Sequence, residues 1–270
     1  MPELPEVETV RRTLKNFVLD KEIQEISVHY DKIVEGDTKQ FIKLLKGQKI
    51  QDIDRIGKYL IFKLDHNAFI SHLRMEGKYN IVSSDIPVNK HEHITFHFKD
   101  GSELRYQDTR KFGRLELTDI ENYATNLPLS KLGPEPMDAL LEQVYPKLHK
   151  SNLPIKTLLL DQTIMAGIGN IYANEICFAM RINPYTPGKK LTKKRVQECI
   201  EVSAAILKKA IEQGGTTIHS FDSNGIHGLF QVQLQVHMQK ICSICGSEIS
   251  KEKINGRGTY YCKKCQRRKT

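Results

Sequence analysis

Four cysteines near the end of the chain restrict its fold more than any other feature. They form the pattern Cys242-x2-Cys245-x16-Cys262-x2-Cys265, and two such close pairs are typical of a four-cysteine zinc site. Four reduced cysteines without metal are the alternative, but they would leave a short polar segment with little apolar core. Since four thiolates fill the tetrahedral coordination of Zn²⁺, we expect one structural zinc ion.

The charge of the chain favours an anionic partner. Among 270 residues there are 41 Lys and Arg against 32 Asp and Glu, a formal charge of +9. The last 29 residues contain eight Lys or Arg and two Glu, and thus carry +6 of that charge. This distribution favours nucleic acid as a partner. The sequence has no apolar run of about 18–20 residues and no signal-peptide pattern, so we expect a soluble, cytoplasmic protein without membrane contact.

Hydrophobic periodicity divides the chain. Residues 5–18 have apolar side chains at helical spacing and predict one amphipathic helix. Several later segments alternate with period two and predict short antiparallel strands, with a hairpin turn at Lys99–Ser102. Such strands are typical of a sandwich or a barrel. The strand segments are EIQEISVHY, KYLIFKL, AFISHL, HITFHFKDGSELRYQD and RLELT.

The second half of the chain is predicted to be helical. A proline-bearing stretch, LPLSKLGPEPMD, precedes it and has the composition of a linker. The helical segments are LLEQVYPKL, PIKTLLLDQTI, GNIYANEICFAM and TKKRVQECIEVSAAILKKAIEQGG. Gly214 is placed to end the last of these helices. The sequence therefore predicts a β-rich half, a helical segment and a small module that a metal ion holds together.

The first ten residues, MPELPEVETV, allow two interpretations. Pro2, Glu3, Pro5 and Glu6 fit the first turn of a helix, where proline is tolerated and acids favour the positive end of the dipole. Alternatively, removal of Met1 would leave Pro2 with a secondary amine, which can attack a sugar carbon and form an iminium ion. An α-amino group has a pKa of about 7.7–8.0, against about 10.4 for lysine.

Other residues with suitable chemistry lie at turns or element ends. Arg257, between two glycines, is placed to meet a phosphate from the tip of a turn. Asn170 follows Gly167 and Gly169 at a predicted helix start, where backbone N–H groups favour anions. Met75, Arg110 and Phe112 lie at strand ends or turns, from which such side chains can enter a duplex. Taken singly, these residues are as readily ordinary core or surface positions, as are Lys58, His72, His91 and Lys156.

Together the segments resemble the formamidopyrimidine-DNA glycosylases, bacterial enzymes that remove oxidised purines. The resemblance extends over nearly the whole chain. The motifs that carry it are PELPEVETV, RIGKYL, HLRMEGKY, KHEHITF, DTRKFGRLEL, LSKLGPEP, LLLDQTIMAGIGNIYANEI, GGTTI and GRGTYYC with the cysteine tail. Leu4 also resembles this branch, because the related endonuclease VIII enzymes typically have glycine there.

The resemblance implies a multi-domain α and β fold. It predicts an N-terminal β-sandwich with an N-terminal helix in residues 1–130 and a linker with a helix-two-turns-helix domain in 131–236. A four-cysteine zinc finger is predicted in 237–270. It also implies a bifunctional glycosylase and AP lyase that acts on damaged double-stranded DNA as a monomer.

The family's functional residues carry over to matching positions. Pro2 is implied as the nucleophile, Glu3 as the acid that opens the sugar ring, and Glu6 as a supporting residue. Lys58 is implied to assist the first elimination, and Arg257 to hold a phosphate and assist the second. The implied contacts to the DNA backbone or lesion are His72, His91, Lys156 and Asn170, and the residues implied to fill the vacated space are Met75, Arg110 and Phe112.

Two stretches depart from the family pattern, and a third aligns with a loop. His237 stands where a tyrosine is usual and begins a shorter link to Cys242, and Asn174 replaces a common acid. Residues 216–227 align with a loop that contacts the flipped base. The alternatives are an endonuclease VIII-like glycosylase for oxidised pyrimidines, a non-catalytic zinc-containing DNA-binding protein, and an RNA-binding zinc protein.

Overall fold

The computed structural model describes residues 1–215 and 234–267. These residues form two compact units, Met1–Ser130 and Lys131–Gly215 together with residues 234–267. We call them the first and the second unit. The predicted base-contacting segment 216–227 and the basic residues Arg268 and Lys269 lie outside the described residues. Within the described part of the chain, no helix combines the length and the apolar character needed to cross a membrane.

The first unit contains helices α1 (Leu4–Val18) and α2 (Thr38–Leu45). Its strands are β1 (Ile23–Val28), β2 (Val34–Glu35), β3 (Ile50–Ile56), β4 (Tyr59–Leu64), β5 (Ala68–His72), β6 (Lys78–Ser83), β7 (Glu92–Phe98), β8 (Ser102–Gln107) and β9 (Arg114–Thr118). They form a four-stranded sheet in the order β1-β7-β8-β6 and a five-stranded sheet in the order β2-β9-β5-β4-β3. All pairs are antiparallel except β2 with β9.

Aromatic side chains join the two sheets face to face. Phe69 of β5 stacks on Phe96 of β7 with ring centroids 5.3 Å apart, and Phe62 of β4 lies 5.5 Å from Tyr79 of β6. All four rings are fully buried. The predicted β-sandwich is therefore confirmed, with its core between the sheets.

The helix predicted over residues 5–18 is confirmed as α1, whose apolar face joins the same core. Strand β3 was not predicted, and its backbone explains why. A register shift between Ile50 and Asp52 interrupts its pairing with β4. Because such a bulge shifts the side-chain alternation by one residue, its buried residues Ile50 and Ile53 are three positions apart rather than two. The elements α2, β2 and β6 were also not predicted.

The second unit contains α3 (Leu141–His149), α4 (Ile155–Leu159), α5 (Asn170–Ala179) and α6 (Lys193–Glu212), followed by the hairpin β10 (Ser250–Ile254) and β11 (Arg257–Tyr261). The predicted helices are present, but α4 is shorter than its segment. It ends because the Asp161 carboxylate accepts hydrogen bonds from the N–H and hydroxyl of Thr163 and stabilises a turn. Gly214, with φ of 75°, follows the end of α6 as predicted.

Candidate active site and nucleic-acid interface

The start of α1 places two buried carboxylates beside the amino terminus. Glu3 is the N-cap residue, and the Glu6 carboxylate accepts a hydrogen bond from the Glu3 N–H at 2.8 Å. Pro5 lies in the first turn, where its missing N–H removes no helical hydrogen bond. Helix-start chemistry therefore accounts for Pro5 and Glu6. It does not account for Pro2, which is half-buried ahead of the helix and adjoins Glu3, a residue only 2 % exposed.

Lys58 occupies the tip of the β3–β4 hairpin and is nevertheless buried. Ile56 pairs with Tyr59, so Gly57 and Lys58 form a two-residue turn. Gly57 has φ of 58°, a left-handed conformation that glycine adopts without strain and that matches the twist of the flanking strands. Lys58 is only 5 % exposed. Since buried lysines are uncommon, this ammonium is a candidate for a role other than solvation.

His72 ends β5 opposite Tyr59 of β4. Its Nδ1 accepts a hydrogen bond from the Arg74 N–H at 3.0 Å, so the neutral ring carries its proton on Nε2. Burial lowers the pKa of His72 to about 3, and the charges of Arg74 and Lys58 act in the same direction. His72 is therefore an uncharged hydrogen-bond donor at neutral pH.

A single carboxylate shapes the loop between β8 and β9. Asp108 is fully buried, and its oxygens accept hydrogen bonds from the N–H groups of Arg110, Phe112 and Gly113 at 2.8–3.0 Å. The loop projects Phe112, which is 48 % exposed, and the Arg110 guanidinium lies 4.7 Å from the centre of its ring. An exposed phenylalanine on a loop fixed in this way is suited to contact a partner.

Met75 and His91 lie next to that loop. Because β5 and β9 are paired, with His72 opposite Arg114, the loop that follows β5 adjoins the loop that precedes β9. Met75 is half-buried in the former, and its neighbour Glu76 lies 4.0 Å from Arg110. The His91 carbonyl accepts the Asp108 N–H at 2.9 Å. The first unit thus brings His72, Met75, His91, Arg110 and Phe112 to neighbouring positions.

Tyr106 explains two glycines in these loops. Its hydroxyl is buried and has no hydrogen-bond partner among the described residues. A Cβ at either Gly77 or Gly113 would overlap this hydroxyl. Glycine is therefore required on both sides of the phenol, because the two loops close around it.

In the second unit, the four predicted cysteines form one structural zinc site. Their sulfur atoms all lie within 4.8 Å of one another. The Cys242 and Cys265 sulfurs are 3.8 Å apart, and those of Cys245 and Cys262 are 3.6 Å apart. A tetrahedral site with Zn–S bonds of about 2.3 Å has S···S distances of about 3.8 Å. The donor set and its geometry therefore fit Zn²⁺, and the prediction is confirmed.

Arg257 is exposed beside the tip of the β10–β11 hairpin. The tip itself consists of Asn255 (φ 47°) and Gly256 (φ 74°), as in the primed two-residue turns that suit hairpins. Arg257 is the first residue of β11 and pairs with Ile254. It was predicted at the tip, but Asn255 and Gly256 tolerate the required positive φ more readily than arginine does.

Lys156 lies in α4 and holds that hairpin through hydrogen bonds to β11. It is only 1 % exposed, and its Nζ donates hydrogen bonds to the Gly258 carbonyl and to the Thr259 hydroxyl, both at 2.7 Å. The Asn255 side-chain amide donates to the Thr157 hydroxyl at 2.9 Å. Consecutive residues of α4 therefore hold both the turn of the hairpin and the strand that begins with Arg257.

Asn170 is the first residue of α5, as its position after two glycines predicted. The preceding loop is held by Gln162, whose side chain accepts the Gly167 N–H and donates to the Ile168 carbonyl, both at 2.9 Å. Gly167 has φ of 98°, which favours glycine. The helix start places backbone N–H groups and the positive end of the dipole beside Asn170, an arrangement that favours an anion.

The two departures from the family pattern contact each other. The Asn174 Nδ2 lies 2.7 Å from the His237 Nδ1, and the Asn174 Oδ1 accepts the Tyr260 N–H at 3.4 Å. Since Tyr260 N–H can only donate, this contact sets the amide orientation and makes His237 Nδ1 an acceptor. Burial, together with the charge of Lys156, lowers the pKa of His237 to about 4. The link was expected to be short, and the Glu175 carboxylate fixes it by accepting N–H groups of residues 235–237.

Sequence reasoning missed several residues that organise these groups. The stretch DTRKFG has an Asp and a Gly in positions typical of a side-chain-stabilised turn, a signal that could have identified Asp108. No local signal identifies Tyr106, nor the pairing of Asn174 with His237, because those contacts join residues far apart in the sequence.

Three known protein-family models match successive parts of the chain. Residues 1–115 match the formamidopyrimidine-DNA glycosylase N-terminal domain, and residues 132–222 match the formamidopyrimidine-DNA glycosylase H2TH domain. Residues 240–268 match the zinc finger found in FPG and IleRS. The three matches follow the order of the expected sandwich, helix-two-turns-helix and zinc-finger regions.

Individual proteins match over the full length. Formamidopyrimidine-DNA glycosylase from Bacillus licheniformis is 46 % identical over 99 % of this chain and 100 % of its own. A point mutant of Lactococcus lactis FPG, solved with a Fapy-dG containing DNA, has a TM-score of 0.94 at 40 % identity and covers 99 % of this chain and 100 % of its own. Wild-type Lactococcus lactis Fpg, solved with an oxidized pyrimidine containing DNA, has a TM-score of 0.92 at 40 % identity and the same coverage. The chain belongs to the formamidopyrimidine-DNA glycosylase family.

Proposed function

We propose that this chain excises oxidised purines from duplex DNA through its Pro2 amine and then cleaves the strand at the resulting site. The observation that carries the proposal is the position of Pro2, which helix capping does not explain, directly beside Glu3, a nearly fully buried carboxylate at the start of α1. The family membership supports the same activity. Removal of Met1 would expose the secondary amine.

The proposed reaction begins at C1′ of the damaged nucleotide. The neutral amine attacks C1′, the bond from C1′ to the base breaks, and the base departs with the proton that the attacking nitrogen gives up. Glu3 then protonates the ring oxygen, the bond from C1′ to that oxygen breaks, and the nitrogen lone pair forms the iminium. The low pKa of an α-amino group, about 7.7–8.0, leaves part of it neutral near pH 7.

Two eliminations then cleave the strand. Loss of a C2′ proton breaks the C3′–O bond and releases the 3′ phosphate, a step we assign to Lys58. A second proton loss breaks the C5′–O bond and releases the 5′ phosphate, which Arg257 holds by a charge-assisted hydrogen bond. Hydrolysis of the iminium frees the amine.

The remaining predicted residues form the proposed DNA contacts. C1′ in a stacked duplex is inaccessible to an N-terminal amine, so the nucleotide is flipped out at a cost of a few kcal/mol. Met75, Arg110 and Phe112 fill the space it leaves, and the Asp108 hydrogen bonds hold their loop in place beforehand. His72, His91 and Asn170 contact the backbone or lesion, and Glu6 supports the site by capping α1.

Lys156 contributes to DNA binding in a different way from the other cations. Its ammonium is only 1 % exposed and binds Gly258 and Thr259. We therefore propose that it acts on the DNA chiefly by orienting the strand that starts at Arg257.

An alternative is endonuclease VIII-like activity on oxidised pyrimidines. The solved complex of Lactococcus lactis Fpg with an oxidized pyrimidine containing DNA supports this alternative. A non-catalytic DNA-binding protein is a second alternative, but it gives the Pro2–Glu3 pair no purpose. We further propose that the chain acts as a monomer in the bacterial cytosol; light scattering of the purified protein would test its oligomeric state.

The test compares strand cleavage on three duplexes that contain 8-oxoguanine opposite cytosine, an oxidised pyrimidine, or undamaged bases. Wild type, Pro2→Gly and a variant with an extra N-terminal residue are assayed on each. The proposal expects cleavage of the 8-oxoguanine duplex by wild type alone. Preferential cleavage of the pyrimidine duplex would favour the first alternative, and binding without cleavage of either damaged duplex would favour the second.

A further inference from the structure

A buried carboxylate on α1 binds three arginines. Glu8, 5 % exposed, accepts hydrogen bonds from Arg11 at 2.8 and 3.0 Å, from Arg12 at 2.7 Å and from Arg55 of β3 at 3.0 Å. Although burial opposes its ionisation, the hydrogen bonds lower the pKa of Glu8 to about 2. Glu8 is therefore ionised at neutral pH.

Arg55 differs from the other two arginines because it also binds the hairpin tip. Its Nη1 donates to the Gly57 carbonyl at 3.0 Å, while its Nε donates to Glu8. The Gly57 carbonyl belongs to the peptide group that leads into Lys58. Fixing that carbonyl fixes the plane of the peptide, and with it the direction in which the Lys58 side chain leaves the backbone.

The other end of this connection is the start of α1. Glu8 lies in the same helix as the N-cap residue Glu3, little more than one turn away, and Pro2 adjoins Glu3. The path from Pro2 and Glu3 through Glu8 and Arg55 to the turn of Lys58 consists of one helix and two side-chain hydrogen bonds. Arg11 adds a hydrogen bond to the Ile53 carbonyl of β3 at 3.2 Å.

We propose that Glu8 and Arg55 are positioning residues that hold the Lys58 turn in register with the helix start that carries Pro2 and Glu3. This inference rests on the proposed function, in which Lys58 assists the first elimination. A single arginine of its own helix, Arg11 or Arg12, would already neutralise Glu8. The contact of Arg55 with both the carboxylate and the turn is what a positioning role needs. Misplacement of a catalytic group by about 1 Å can reduce a rate by about 10²-fold.

The test uses Arg55→Lys, which keeps the charge but cannot reach both partners with a planar fork. Arg12→Gln is the matched control, because Arg12 binds the same carboxylate, is exposed, and makes no hydrogen bond to the turn within the described part of the chain. Each variant is assayed in single turnovers for base excision, for borohydride trapping, and for elimination at a preformed abasic site. Thermal melting monitors the fold.

We expect Arg55→Lys to slow elimination by about 10-fold to 10²-fold, with trapping retained, and Arg12→Gln to remain within about twofold of wild type. In a Lys58→Ala background, Arg55→Lys should have no further effect on elimination, because it acts through Lys58. Glu8→Gln should reproduce the effect of Arg55→Lys.

Two results would overturn the inference. Elimination by Arg55→Lys at the wild-type rate would do so, and so would an equal slowing with and without Lys58. Absence of any borohydride adduct in wild type would instead refute the proposed function, and the positioning role with it, so the two failures are distinguishable.

Discussion

Each unit has a cation in or next to a two-residue hairpin turn, but the two hairpins are held by different forces. The Lys58 hairpin belongs to a five-stranded sheet whose neighbouring aromatic residues are fully buried in the sandwich core. The Arg257 hairpin rests on a small cluster in which Cys242 and Cys262 are buried beside Phe178, Val236 and Ile249. Since so small a core buries little apolar area, metal coordination and buried polar contacts must hold the second hairpin.

The comparison explains the contrasting lysines. Lys58 is buried at the tip of a hairpin whose strands pack into the apolar core of the sandwich. Lys156 is buried beneath the second hairpin, where its ammonium donates hydrogen bonds to the Gly258 carbonyl and the Thr259 hydroxyl and so holds β11 in place. Lys156 thus has a local structural role in the second unit, and Lys58 of the first unit has a proposed catalytic role.

The largest expected effect comes from removing the metal. Cys242→Ser should unfold the β10–β11 hairpin and weaken DNA binding, because zinc binding contributes on the order of 10–16 kcal/mol to the folding of such modules. Hydrogen exchange should show lost protection in β10 and β11, with protection retained in β4, β5 and β7. Unchanged affinity for DNA would contradict the role of the module, and equal loss in both units would contradict the comparison.

Lys156→Met should have the next largest effect. It keeps the length of the side chain but removes two hydrogen bonds from a charged donor, each worth about 1.5–3 kcal/mol. The local opening free energy of β11 measured by hydrogen exchange should fall by at least the value of one such hydrogen bond, about 1.5–3 kcal/mol. Strand cleavage should also stop more often after the first elimination. Lys253→Met is the matched control, since Lys253 is an exposed residue of the same hairpin. Equal effects of the two substitutions would contradict the anchoring role.

Asp108→Asn sharpens the comparison within the first unit. The carboxylate accepts three backbone N–H groups, and an amide cannot replace all three acceptor contacts. We expect a loss of about 1–3 kcal/mol in unfolding free energy and weaker DNA binding. Asp119→Asn is the control, because Asp119 accepts two backbone N–H groups in an exposed turn. Retention of full DNA affinity by Asp108→Asn would indicate that the loop does not need this carboxylate.

A smaller effect concerns the histidines. The pKa of His237 is lowered to about 4 and that of His72 to about 3, against about 6.5 in the unfolded chain. Below pH 6.5 the unfolded chain therefore binds more protons than the folded chain. The stability that the two neutral histidines contribute is complete above pH 6.5 and is lost as the pH falls towards 4 for His237 and towards 3 for His72. Asn174→Asp should raise the pKa of His237, since a carboxylate stabilises the imidazolium. Ring NMR titrations measure both, and titration of His237 near 6.5 in wild type would contradict its buried, neutral state.

The smallest effect on stability is expected for Phe112→Ala. Phe112 is 48 % exposed, so its removal should leave the unfolding free energy almost unchanged. Affinity for damaged DNA should nevertheless fall, because the side chain is proposed to fill the space left by the flipped nucleotide. A drop in stability as large as the drop in binding energy would indicate a structural role instead.

Local sequence signals predicted much of this fold. Helical spacing identified α1 and α6, alternation identified the β7–β8 hairpin, and cysteine spacing identified the zinc site. Strand β3 escaped because its bulge breaks the alternation. Residue chemistry identified Pro2 and Arg257 as candidates, the resemblance added Lys58, and the proposed roles of all three remain predictions.

The contacts that organise the site could not be predicted in this way. Lys156 binds residues 102 and 103 positions later, and Asn174 meets His237 63 positions later. Such contacts depend on how elements pack in three dimensions, which no local pattern encodes. The connection of Glu8 to the Lys58 turn through Arg55 is of the same kind.

The most direct test of the account is to locate the covalent bond. Wild-type protein is reacted with a duplex that contains 8-oxoguanine opposite cytosine in the presence of borohydride, digested with protease, and mapped by tandem mass spectrometry. The account predicts one adduct, on the nitrogen of a Pro2 that has lost Met1. An adduct on a lysine such as Lys58, or one on a chain that retains Met1, would contradict it.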